Sequence, residues 1–160
     1  MSVIDTLVTD RAESDLTALR AALDAVNAGT ATEVQKALAR DPTAKGAYNY
    51  TDLNRVGAAV RYLADLLNGY GYDVQVTAKR DWTENGRPSP SQMRQYLADI
   101  AVLRGAFPVP EDTPTVPDSP EKLDWQAANA IEMILQELDI LIQHIAATWF
   151  YSGELYAGEV

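Results

Sequence analysis

The chain has 160 residues, a length that suits one domain and buries roughly 70% of the surface its unfolded form exposes. With 47% apolar and 22% charged residues, wholesale disorder is excluded. The 13 basic and 23 acidic residues leave a net charge of −10, which repels nucleic acid and anionic lipid, and no basic patch exists to release phosphate counterions. Cysteine is absent, so disulfides, thiolate metal sites and cysteine nucleophiles are all excluded. The opening MSVIDTLVTDRAESD has no basic stretch followed by an apolar core and does not read as a signal peptide. No uncharged apolar run approaches the ~20 residues of a membrane span. Synthesis and folding in a cytoplasm are expected.

Leu16, Leu19, Leu23 and Val26 step by three and four, which predicts a helix over 15–26. Asn27-Ala28-Gly29 stops it. Thr30 or Thr32 opens a short second helix through Val34 and Leu38, and Asp41-Pro42 ends it. In KGAYNYTDLNRVGAAVRYLADLLNGYGY, Thr51 reads as the N-cap of a third helix, Asp52 charges its first turn and Tyr50 precedes the cap. Leu53, Val56, Val60, Leu63, Leu67 and Tyr70 form one stripe, widened by Tyr62 and Leu66. Asn68-Gly69 and Gly71 terminate it.

Tyr72, Val74, Val76 and Ala78 fall at period two, which predicts a short half-buried strand within an extended excursion near 73–89. Asn85-Gly86 is a turn signal, and Pro88 and Pro90 exclude regular structure until a fourth helix begins at Ser89 or Ser91. Its inner face is Met93, Tyr96, Leu97, Ile100, Leu103 and Phe107. Five of the eight prolines lie from Pro108 to Pro120, so 108–120 reads as a stiff, extended connector that wraps a face or bridges layers. Asp124 caps the longest helix, from Trp125 to about Thr148. Its stripe is Ile131, Ile134, Leu135, Leu138, Leu141, Ile142, Ile145 and Trp149, with Met133 and Ile140 outside it on a second face. At 1.5 Å per residue such a helix is roughly 36 Å long and suits the central post of a bundle. The expected architecture is mainly α, with a single domain over 1–160. It comprises four to five helices, the extended or β excursion near 73–89, and an extended aromatic tail over 149–160.

Reactive constellations are not legible. His144 is the only histidine and has no Glu-x-x-His or His-x-x-Glu partner, so a surface or filler role is expected and a di-metal bundle cannot be built. Glu132, Glu137 and Asp139 on the long helix are expected to form a solvated face. Gly57, Gly69, Gly71 and Gly86 match no phosphate-cradling loop, and no serine sits in a Gly-x-Ser-x-Gly elbow. Asp73, Asp81 and Glu84 lack calcium-loop spacing and read as turn residues. No catalytic residue, cofactor or metal ligand is expected, and the chain reads as a non-enzyme.

Aromatic residues carry the functional signal. Tyr48, Tyr50, Tyr62, Tyr70 and Tyr72 surround one helix, and the chain closes on WFYSGELYAGEV, where Tyr-Ser-Gly-Glu is followed by Tyr-Ala-Gly-Glu. Rings joining a large apolar area to a polar tip suit interfaces as well as cores. Trp149, Phe150, Tyr151, Glu154, Leu155, Tyr156 and Glu159 are the expected partner-binding residues.

Several stretches resemble a family of small proteins and C-terminal modules encoded among the tail and structural genes of phages and prophages of Gram-positive, often gut-dwelling, bacteria. They are VTDRAESDL, KGAYNYTDLNRVGAAVRYLADLL, Asp81-Trp82, PSPSQMRQYLADIAVLR, ANAIEMILQELDILI and AATWFYSGELYAGEV. The resemblance covers nearly the whole chain and is most specific at YNYTDLNRV and WFYSGE. Long fibre or immunoglobulin-like segments precede some such modules, and the resemblance implies that residues 149–160 form an assembly latch onto a sister subunit or another tail protein. The resemblance implies a virion location and a structural role in a tail, baseplate or fibre, working through protein–protein contacts without catalytic residues. The alternative is a binding module, in which Trp82 and the tyrosines line a cleft for a small ligand or a host surface glycan.

Overall fold

The structure, a computed structural model, describes the backbone of residues 2–156 and the side chains of residues 2–148 other than Lys122. Five helices occur in it: α1 Glu13–Asn27, α2 Glu33–Arg40, α3 Tyr50–Gly69, α4 Pro90–Ala106 and α5 Trp125–Tyr156, with 3-10 turns at Val3–Thr6 and Pro120–Lys122. The mainly helical expectation holds. Local chemistry sets the helix starts. Thr32 and Gln35 form a capping box on α2, and Ser89 accepts from Gln92 N at 3.3 Å, with Pro90 inside the first turn of α4. At α3 the cap is Asn49, two residues before the expected Thr51. Asn49 Oδ1 accepts from Thr51 N at 2.9 Å, and Asp52 accepts from Asn49 N at 2.9 Å. The Thr51 hydroxyl donates instead to the Pro42 carbonyl at 2.7 Å.

The core lies between α3, α4 and α5. Val56, Ala59, Leu63 and Leu67 of α3, Ile100 and Leu103 of α4, and Ile131, Ile134, Leu135 and Leu138 of α5 are completely buried. Each of the Val, Leu and Ile side chains contributes about 1.5–3 kcal/mol relative to exposure. The three helices run in the same direction. Arg55 near the start of α3 meets Glu132 near the start of α5, and Leu67 near its end shares a small cavity with Phe107 and Ile142. Tyr48, ahead of α3, likewise meets Tyr96 in the first half of α4. Parallel neighbours need connections that return the full length of the bundle, which explains both long connectors.

The first connector corrects an expectation. Among the described residues there is no strand. The period-two pattern is nevertheless real, because Val74 and Ala78 are buried while Asp73, Gln75 and Thr77 are exposed. The segment runs antiparallel to α3, and helix side chains replace a partner strand. Asn68 accepts from Val74 N at 2.7 Å and donates to Val74 O at 2.9 Å. Asn54 does the same for Trp82, with both bonds at 2.9 Å. Asp99 of α4 accepts from Thr77 N at 3.1 Å and Ala78 N at 2.8 Å. Amides that would be orphaned against the bundle are thereby satisfied. Gly57 permits the approach, since a Cβ there would collide with the Lys79 carbonyl. The grip also holds Ala78 at φ 47°, a left-handed geometry that costs about 1–2 kcal/mol outside glycine.

The proline-rich connector also lies on the bundle. Arg104 donates to the carbonyls of Pro114 at 2.8 Å and Thr113 at 3.0 Å, and Val109, Val116 and Leu123 pack against the core. A second correction concerns α5. It is 32 residues long and continues past Thr148 to Tyr156, so the expected extended tail is helical there. Residues 157–160 lie outside the described ones. Among the described residues no helix is long and apolar enough to cross a membrane.

Candidate functional site

Glu132 is the largest departure from expectation. Expected on a solvated face, it is fully buried at the centre of a four-charge cluster that ties the N-terminal segment to α3 and α5. Arg11 Nη2 donates to Glu132 Oε1 at 2.6 Å and Asp52 Oδ1 at 2.9 Å. Arg55 Nη2 reaches Glu132 Oε1 at 2.9 Å and also bonds Asp52 Oδ1. Glu132 Oε2 accepts from Arg55 Nε at 3.1 Å and from Val8 N at 2.6 Å, and Asp52 Oδ2 takes Asn49 N. Asn129, one helical turn before Glu132, brackets Arg11 by accepting from its amide at 3.1 Å and donating to its carbonyl at 2.9 Å.

Two guanidinium groups neutralise two carboxylates, and all four carboxylate oxygens have donors. The chemistry here is that of a clamp. Desolvation offsets much of the Coulombic gain of such a cluster, but an incomplete cluster would be strongly unfavourable, so it fixes the helix register. Burial opposes the Arg55 charge, yet the bonds and attraction from Glu132 and Asp52 win and its pKa rises above the ordinary guanidinium value.

Two phenols, Tyr96 buried and Tyr48 half-buried, adjoin the clamp. The Tyr48 and Tyr96 hydroxyls share a hydrogen bond, and the Arg11 guanidinium lies 5.4 Å from the Tyr48 ring centroid. Burial pushes both phenols above their ordinary pKa, and the nearby Glu132 and Asp52 charges add to this.

Three hollows bear on binding. Trp82, which the alternative reading places in a ligand cleft, is buried beside a cavity of about 70 Å³ shared with Val60, Tyr96 and Asp99. That is far below the 300–1,000 Å³ of ordinary ligand sites. A cleft of about 370 Å³ opens between α1, the 45–48 loop and the start of α5, with Arg20, Lys45, Tyr48, Leu123 and Trp125 among its walls. A groove of about 240 Å³ on the outer side of α5 is lined by Pro110, Asp112, Glu137, Ile140 and Leu141. Beside it Ile140 is 54% and Met133 37% exposed, one heptad apart on α5. Of the other expected acids, Glu137 Oε2 and Asp139 Oδ1 are buried without a hydrogen-bond partner. His144 is exposed.

The expected latch lies on the last turns of α5. Trp149, Phe150, Tyr151, Glu154, Leu155 and Tyr156 stand on its helical backbone, while Glu159 falls outside the described residues. Sequence reasoning missed Arg11, Asp52 and Arg55 as a unit, and the 370 Å³ cleft altogether. Asp52 and Arg55 at a spacing of three offered a local signal, but nothing in the sequence joins them to residues 11 and 132. Among the described residues no group of three or more histidines, aspartates or glutamates could hold a metal ion. Compared with protein-family models, curated proteins and solved structures, the chain matches none.

Proposed function

We propose that this protein is a non-catalytic structural component of a phage or prophage particle, associated with a tail, baseplate or fibre, and that it acts through protein–protein contacts. The supporting observation is the shape and surface of α5. At 1.5 Å per residue its 32 residues extend about 48 Å, against about 30 Å for the 20 of α3. Ile142 and Ile145 already share a cavity with Leu67, Tyr70 and Phe107, at the ends of α3 and α4. Eleven further helical residues follow Ile145. Leu138, Ile142, Ile145, Trp149 and Tyr156 keep the alternating spacing of four and three that seats one helix against another, with Ser152 filling the one gap. The exposed Met133 and Ile140 supply a second apolar line on the same helix.

The virion assignment rests on the sequence resemblance, and the assembly role on α5. The latch then works as a prolonged helix. The hollow beside Trp82, about 70 Å³, lends the alternative of a glycan cleft less support. Light-scattering mass of the purified chain, with and without residues 149–160, tests the reading. Loss of oligomer or partner binding from a truncated chain whose melting is unchanged is the expected result. A truncated chain that keeps its fold, mass and partner binding would end it.

A further inference from the structure

Resting on that assembly reading, we propose that the cleft at the start of α5 receives the last residues of α5 from a second copy of this chain, in a head-to-tail contact. The cleft is ring-lined and presents two exposed cations in a protein of net charge −10. Arg20 and Lys45 are exposed at its mouth, and Tyr48, Leu123 and Trp125 are half-buried on its walls. The acids nearby are Asp10, which pairs with Lys45 at 2.6 Å, and Asp124, which caps α5 through Ala127 N at 2.8 Å. An exposed pair such as Asp10–Lys45 is weak and exchanges readily. The cleft is also preformed. Gly46 packs so closely on α1 that a Cβ there would strike the Asp15 carbonyl. The loop before α3 is tied back by Asn49 Nδ2 and the Thr51 hydroxyl, both donating to Pro42 O.

The occupant follows from charge and reach. The segment 154–159 places Glu154 and Glu159 around Leu155 and Tyr156, an acidic, apolar and aromatic complement to two cations and a ring-lined hollow. A chain cannot fill its own cleft. Trp125 and Tyr156 stand at opposite ends of α5, about 46 Å apart at 1.5 Å per residue. Residues 157–160, fully extended, reach back only about 14 Å. The contact is therefore between copies and joins two different surfaces, so it either closes reciprocally in an antiparallel pair or propagates into rings or filaments.

The test uses full-length variants and light-scattering mass across a concentration series. Arg20→Glu with Lys45→Glu spoils only the cleft, and Glu154→Lys with Glu159→Lys spoils only the tail. Because Arg20 and Lys45 are exposed, melting is expected to match the unaltered chain. Expected results are a dimer or larger oligomer for the unaltered chain and monomers for each variant. An equal mixture of the two variants restores one productive contact and gives a species of twice the monomer mass that grows no further. The proposal is overturned if the cleft variant keeps the unaltered mass, or if the mixture stays monomeric. It is also overturned if inorganic phosphate shifts Trp125 fluorescence and truncation at residue 148 leaves the mass unchanged, which marks a small-anion site. Dispersal by truncation but not by the cleft variant removes this proposal and leaves the assembly reading standing.

Discussion

The α1–α2 hairpin and the α3–α4–α5 bundle carry the same kind of helical periodicity and meet opposite fates. In α3, nine residues are buried, including every core position of its stripe from Leu53 to Leu67. In α1 only Leu19 and Ala22 are buried, and α2 has none. Leu23, Val26 and Val34 remain 43%, 42% and 79% exposed. The difference lies in the second layer. Each bundle helix has two neighbours plus a connector laid over it, whereas α1 and α2 cover mainly each other. An apolar stripe states that a helix wants a partner; the number of partners decides how much of the stripe is dry.

That contrast can be broken most forcefully at the clamp. Glu132→Ala leaves Arg11 and Arg55 buried with half their counter-charge and is expected to destabilise the chain by about 3–5 kcal/mol, read as a lower urea midpoint. An unchanged midpoint would show the clamp to be ornamental. Asp99→Ala is next. It strips the Thr77 and Ala78 amides of their acceptor, and a cost of about 1.5–3 kcal/mol is expected. Hydrogen exchange should quicken over 72–82 first, because the helices keep their own bonds.

The phenol pair gives a milder, pH-dependent handle. Folded Tyr48 and Tyr96 have raised pKa values, so in the unfolded chain they lose their protons earlier. Their contribution is whole below the unfolded value near 10 and is lost as pH climbs above it. Alkaline melting should therefore fall, and Tyr48→Phe with Tyr96→Phe should flatten that fall. The smallest effect belongs to the hairpin. Leu23→Ser or Val34→Ser should change stability by within about 0.5 kcal/mol, as surface substitutions do, against about 2–5 kcal/mol for Leu135→Ala in the core. A large loss at Val34 would mean that its face is covered in solution.

Much of this was legible in the chain and some was not. Helix existence followed from spacing: Leu53 to Leu67 and Ile131 to Ile142 announce buried stripes, and of the two starts offered for α4, Ser89 and Ser91, the structure uses Ser89. The alternation at Tyr72 to Ala78 correctly separated buried from exposed residues but misnamed the element. A strand requires a ladder, and here Asn54, Asn68 and Asp99 stand in for one. Glu132 was misplaced for a related reason. A carboxylate reads as solvated until its partners are known, and Arg11 and Arg55 come to it from 121 and 77 positions away in the sequence.

Local spacing and capping are short-range properties, so the sequence alone determined that this is a helical protein and where most helices begin. It also determined net charge and the lack of thiol chemistry, which depend on counting alone. Only the tertiary structure decided that α3, α4 and α5 run parallel, that both long connectors therefore travel back along them, and that four distant charges close into one clamp. Those outcomes depend on which faces meet. No window of neighbouring residues contains that information, because the free energy of burying a charge or an amide is set by atoms that arrive from elsewhere in the chain.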